Sequence, residues 1–155
     1  RKTMKRIYIA GPYTAPTRAE IEQNIARARD AGIMFARTGF APLIPHCNTA
    51  GWEHLTDMPY DVFLEIDLAW IGAADAIYFQ GAHENSKGCA VEKQVARAMG
   101  IPMFYEGRDT PESITHYFKT GGMNELCAHC ADGPRPCPVI ESVDAAIDDG
   151  EGLAV

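Results

Sequence analysis

The sequence predicts an α/β protein, a parallel sheet with helices on both faces. Three observations predict it. Short runs rich in β-branched and aromatic residues alternate with longer stretches of helical period. The joins between them are short and marked by Gly or Pro. The strand runs are apolar at nearly every position, as a sheet covered on both sides requires. Residues 5–10 form the first strand, closed by Gly11-Pro12. Residues 20–38 are an amphipathic helix with Ile21, Ile25, Ala28 and Phe35 inward, ended by Gly39. Residues 41–44 are the second strand, which Pro45 stops, and 46–52 are a polar loop. A helix over 60–74 leads to a third strand at 75–79 and a loop at 81–85. The helix over 87–99 is closed by Gly100, a fourth strand runs over 102–105, and Thr110-Pro111-Glu112 opens a short last helix through Phe118. The whole reads as a doubly wound, flavodoxin- or Rossmann-like parallel sheet of four to five strands followed by a cysteine-rich tail.

Two carboxylates interrupt this pattern. On the 87–99 helix, Gly88, Val91, Glu92, Val95 and Met99 share one stripe, with Lys93, Gln94 and Arg97 turned to water. On the 60–74 helix, Phe63, Ile66, Trp70 and Ala74 share a face with Asp67. An unpartnered buried carboxylate is costly, so an acid on an apolar face is either paired or used. In open parallel sheets ligands bind at the carboxyl ends of the strands. The loops at 11–18, 46–52 and 81–88 lie at that edge, which puts Glu92 near the rim. Ser86-Lys87-Gly88 opens its helix, where free N–H groups and the helix dipole favour an anion; Ser86 is equally an ordinary N-cap. Gly88 leaves room for a ligand, or for tight helix–strand packing. Two acids at one pocket suit glycosidic chemistry, and the residues alone point to a small anionic ligand and glycosyl transfer.

Composition bounds the classes. The 155 residues suffice for one core-bearing domain, expected over 4–120, with 121–155 a Cys-, Pro- and Gly-rich, partly ordered tail. Fourteen basic against twenty-one acidic residues give a net charge of −7 and no basic stripe, so no nucleic-acid polymer is expected as partner. No apolar run approaches a membrane span, no signal peptide precedes the first strand, and Met4 is read as the native first residue. Five cysteines, an odd number, suit a reducing cytoplasm. The second helix is apolar nearly all round, with Leu64, Leu68 and Ile71 opposite Phe63 and Ile66. A helix of that kind is covered on both sides, by a second copy in a homodimer or higher oligomer, or by the tail.

Ile7-Tyr8-Ile9-Ala10-Gly11 on the first strand, Asp67-Leu68-Ala69-Trp70-Ile71 followed by Ala74-Asp75, and the run from Ser86 to Glu92 together resemble the nucleoside 2-deoxyribosyltransferase superfamily, nearest to its nucleoside 5′-monophosphate N-glycosidase branch. The resemblance implies that Glu92 attacks the sugar C1′ and forms a covalent glycosyl-enzyme. It implies that Tyr8 holds Glu92, and that Asp67 acts at the departing base as proton donor or hydrogen-bonding partner. Gly11, Ser86 and Gly88 would line the sugar–phosphate region. Transferases acting on free nucleosides resemble this pattern but carry an acid at the place of Ser86; a serine there accepts a 5′-phosphate. The function implied is therefore hydrolysis of the base–sugar bond of a (deoxy)nucleoside 5′-monophosphate. Base exchange between nucleosides is the alternative, and a non-catalytic nucleotide- or ADP-ribose-binding domain a further one. The substrate is a small nucleotide or nucleoside, and catalysis needs no cofactor.

The first loop lacks a glycine-rich phosphate clamp; Arg18 supplies that charge or faces solvent. His46 and Asn48 read the base with Trp52 stacked on it, or form a capped turn over the sheet edge. In the tail, Cys127, Cys130 and Cys137, with His129 or His116, offer ligands for a structural zinc, against free thiols. Cys89 is read as a small core residue.

Overall fold

The computed structural model describes residues 3–122. Contacts divide the chain into two compact units, Arg1–Pro111 and Glu112–Val155. In the first, β1 (Arg6–Ala10), α1 (Arg18–Arg37), β2 (Ala41–Leu43), α2 (Pro45–Asn48), α3 (Tyr60–Ala73), β3 (Ala76–Phe79), α4 (Lys87–Ala98) and β4 (Met103–Tyr105) follow in order. Single 3₁₀ turns occupy Trp52–His54 and His83–Asn85. A helix at Pro111–Lys119, α5, opens the second unit. The tail carrying Cys127, Cys130 and Cys137 lies outside the described residues.

The four strands form one parallel sheet in the order β2-β1-β3-β4. Alternation along the strands sends Tyr8, Ala10, Ile77 and Phe79 to one face, where they pack with Ile71 of α3 and Cys89 and Ala96 of α4. The opposite face takes α1, whose Phe35 meets Tyr78 edge-on at 4.9 Å between ring centroids. Helices on both faces make the sheet doubly wound, and its central strands are buried along their lengths. Thr17 caps α1 in a reciprocal capping box with Glu20. Gly32 lets α1 lie close to β2, since a Cβ there would overlap Ile44 Cδ1. Arg6 braces the sheet's other end, its backbone N–H and guanidinium both donating to Asp75 just before β3.

Three local expectations are corrected. The polar loop after β2 begins with a helical turn, Pro45–Asn48, because the fixed φ of Pro45 that ends the strand also suits a first helical position. On α3 the core side is that of Ile71, fully buried, and Leu68, packed on the core; Trp70 is 46% exposed. On α4 the buried stripe is Cys89, Glu92 and Ala96, and Met99 is 54% exposed. The small side chains of Cys89 and Ala96 allow α4 to approach the sheet closely, which sets the helix phase. Among the described residues no helix is long and apolar enough to cross a membrane.

Candidate functional site

The strands end at Ala10, Leu43, Phe79 and Tyr105, and the segments that follow the first three of them enclose a cavity of about 620 Å³. That volume lies within the ~300–1,000 Å³ typical of small-molecule sites. Residues 11–14 form one wall; α2 and the turn after it contribute Pro45, His46, Thr49 and Glu53. The first two turns of α3 add Tyr60, Phe63, Leu64 and Asp67, and the N-terminus of α4 adds residues 85–89 and Glu92.

Glu92 lies on the cavity floor and is only 7% exposed. Beneath it the Tyr8 hydroxyl donates to its Oε1 at 2.5 Å. Burial raises the Glu92 carboxyl to about 7; the neighbouring Asp67 adds to the rise, while hydrogen bonds from Tyr8 and Cys89 oppose it. Burial, with Glu92 and Asp67 close by, pushes the Tyr8 phenol well above its ordinary value, so it stays a proton donor to the carboxylate. Asp67 is raised by burial to about 6, and its Oδ1 is buried without a hydrogen-bond partner. The two acids therefore titrate as a coupled pair, and the second of them to ionise bears their mutual repulsion. Burial divides their resting states when one proton is shared. Glu92, the more deeply buried, lies higher and keeps that proton at rest, while Tyr8 and Cys89 are the donors that receive its charge once it ionises. Two neighbouring acids that exchange one proton, one of them with donors set for its carboxylate, are an arrangement suited to displacement at a carbon whose leaving group needs a proton.

Ser86 caps α4, its Oγ accepting the Cys89 N–H at 3.3 Å, and leaves the first N–H groups of that helix at the cavity. The near neighbour of Gly88 is a side chain rather than a strand: a Cβ there would lie 3.1 Å from the Tyr60 hydroxyl, a tight contact. Cys89 is buried in the core, as its small apolar character implies, and burial raises its thiol to about 12. His46 is buried, and burial lowers its pKa against the opposing Pro12 and Gly11 carbonyls, leaving a neutral ring at pH 7. Its Nε2 sits 3.0 Å from the Pro12 carbonyl and donates to it.

Of the residues singled out in the sequence, Glu92, Asp67, Gly11, His46, Ser86 and Gly88 line one cavity, with Tyr8 directly behind Glu92. Arg18 and Asn48 do not line it. Arg18 heads α1, is exposed, and pairs with Glu22 one turn on at 3.1 Å. Asn48 ends α2 and is exposed, as is Trp52. Tyr13, Glu53 and Tyr60 are lining residues that sequence reasoning missed. Among the described residues no cluster of three or more His, Cys, Asp or Glu is placed to hold a metal ion.

Fold and site together define a doubly wound α/β protein with a two-acid cavity at the carboxyl edge of its sheet. Residues 5–105 match the family described as Domain of unknown function (DUF4406), and the chain belongs to that family. No curated protein matches the sequence. Among solved structures the chain is similar in fold to a 2-deoxyribosyltransferase from the psychrotolerant bacterium Bacillus psychrosaccharolyticus, described as a biocatalyst for the synthesis of antiviral and antitumoral nucleosides. The identity is 19% and the TM-score 0.49, over 64% of this chain and 70% of that one.

Proposed function

We propose that this protein cleaves the bond between base and sugar in a nucleoside or nucleoside 5′-monophosphate, with Glu92 as nucleophile. The observation that carries the reading is the pairing of a Tyr8-bound Glu92 with a half-buried Asp67, whose Oδ1 is buried without a hydrogen-bond partner, on one small-molecule cavity. With the shared proton passed from Glu92 to Asp67, Glu92 Oε attacks C1′ as the C1′–N bond breaks, giving a glycosyl ester and a base anion. Asp67 supplies the proton the leaving nitrogen needs. A second nucleophile then attacks C1′, releases Glu92 as carboxylate, and returns its own proton to the pair.

That second nucleophile is water in a hydrolase and another base in a transferase. A 5′-monophosphate hydrolase is the finer form we propose, supported by Ser86 and the open N–H groups of α4, which suit a phosphate and carry no repelling acid. Base exchange is the second reading, and it uses the same ester. We further propose that the exposed side of α3 at Trp70 and the C-terminal end of α4 at Met99 are covered by a second copy of the chain.

The test is a panel of nucleosides and 5′-monophosphates, each with and without a free second base, read for released and exchanged base. Release from monophosphates alone supports the hydrolase, and base exchange supports the transferase. Tight binding without turnover, unaffected by Glu92→Gln, refutes both and leaves a binding domain.

A further inference from the structure

The cavity holds a third carboxylate, Glu53, which neither half of the proposed chemistry uses. It comes from the 3₁₀ turn at Trp52–His54 and shares its part of the wall with Tyr13, Thr14, His46 and Thr49. Its position is braced by three segments at once. The Tyr13 hydroxyl donates to Glu53 Oε1 at 2.7 Å and accepts the Gly51 N–H at 3.3 Å. The Asn24 amide holds the Tyr13 carbonyl at 3.2 Å, tying the loop to α1. The Tyr13 ring lies against His46, 5.7 Å between centroids, and His46 in turn holds the Pro12 carbonyl. First loop, α2 and 3₁₀ turn thus form one frame with a carboxylate fixed on it.

The state of Glu53 differs from that of the other two acids. Burial raises its pKa, but the Tyr13 hydroxyl, nearby backbone N–H groups and His54 more than offset this and hold it below its ordinary value. It is ionised at neutral pH and acts only as an acceptor. A carboxylate offers about four acceptor sites; Tyr13 takes one on Oε1, His54 Nε2 lies 3.7 Å from the same oxygen, and the side chain keeps 36% of its surface exposed. With the α4 N-terminus suited to the anionic end of a substrate, the Glu53 wall falls to the base.

We propose that Glu53 selects the base, accepting a hydrogen bond from the exocyclic amino group of an amino-substituted base and rejecting its oxo counterpart. This rests on the cavity being a base–sugar site. An oxo group at that place sets a carbonyl dipole against a fixed negative charge, and leaves a carboxylate unpaired that water otherwise serves. Because Glu53 keeps contact with solvent, the discrimination rests on this repulsion and on one charge-assisted hydrogen bond.

The experiment uses two matched pairs of deoxynucleoside 5′-monophosphates, cytosine against uracil and adenine against hypoxanthine. Base release (kcat/KM) and calorimetric Kd are both measured, on the full chain and on Glu53→Gln. In the wild type the amino member of each pair is favoured about tenfold or more, the value expected for a hydrogen bond to a charged group. The Gln variant keeps an oxygen for Tyr13 and turns an amide N–H₂ to the cavity, so the ratio falls about tenfold or inverts. A role limited to bracing the loop lowers all four substrates alike. Equal handling within the pairs, or a ratio unmoved by Glu53→Gln, overturns the proposal. Amino preference in Kd without base release supports base selection and refutes the glycosidic reading. Base release without amino preference does the reverse.

Discussion

Replacing Glu92 by Gln separates the electrostatic state of this residue from its place in the fold. In the native chain burial and Asp67 lift the Glu92 carboxyl from its ordinary 4.5 to about 7. At 1.36 kcal/mol per pKa unit, the ionised residue therefore costs the native state about 3 kcal/mol relative to the unfolded chain. The sign follows from proton binding. Between pH 4.5 and 7 the folded protein keeps a proton on Glu92 that the unfolded chain has released, so this group's contribution to stability falls as pH rises across that window. Gln does not titrate and still offers an oxygen to the Tyr8 hydroxyl. Its amide N–H₂ adds a fixed desolvation cost, the same at every pH. Urea melts of both proteins at intervals from pH 4 to pH 8 thus give a difference that shifts in favour of the variant by about 3 kcal/mol as pH rises. Asp67 titrates in both proteins, and its repulsion of Glu92 is part of the shift that the variant loses. A difference that stays constant across the range refutes a desolvated, coupled Glu92.

Other substitutions probe the remaining parts. Tyr8→Phe removes the donor that stabilises the Glu92 charge, so the acid limb of the kcat/KM profile moves to higher pH and stability at pH 8 drops by about 1.5–3 kcal/mol; an unmoved limb contradicts the role. Asp67→Asn takes away both the proton and the repulsion. Its kcat for base release falls by about 10²–10⁴ while the Glu92 pKa drops, shown by an acid limb at lower pH. Gly32→Ala forces a methyl into Ile44 and lowers stability by about 1–3 kcal/mol without changing nucleotide Kd, both measurable on one sample. Trp70→Glu places a charge on the exposed side of α3, and sedimentation is expected to show a dimer in the wild type and a monomer in the variant.

Much of this architecture is written in short-range signals. Gly11-Pro12, Gly39 and Gly100 punctuate the elements where the structure ends them, and the apolar strands announce a sheet buried on both faces. The acids stand out because Glu92 and Asp67 break otherwise apolar helical stripes, and that anomaly survives an error of phase. The phase itself was not legible on α3, where apolar residues surround most of the helix and periodicity gives no direction. Helical spacing puts Trp70 and Met99 on the inward stripes, yet Ile71, Cys89 and Ala96 fill the core. Arg18 sits beside the site in sequence but begins α1 and turns to Glu22. Tyr13 and Glu53 lie 40 residues apart, and nothing local marks either; their pairing arises only when the first loop and the 3₁₀ turn meet at the sheet edge. Glu53 has no apolar stripe to interrupt, so it carries no signal of the kind that revealed Glu92.

The covalent step is the claim on which the proposed mechanism stands. Incubating the protein with a 2′-fluoro-2′-deoxynucleoside 5′-monophosphate, whose fluorine slows breakdown of the ester, and digesting at low pH allows the peptide containing Glu92 to be weighed by mass spectrometry. The account predicts a mass increase of one fluorinated sugar phosphate on Glu92, absent in Glu92→Gln. Base release with no adduct on Glu92, or an adduct on another residue, contradicts it.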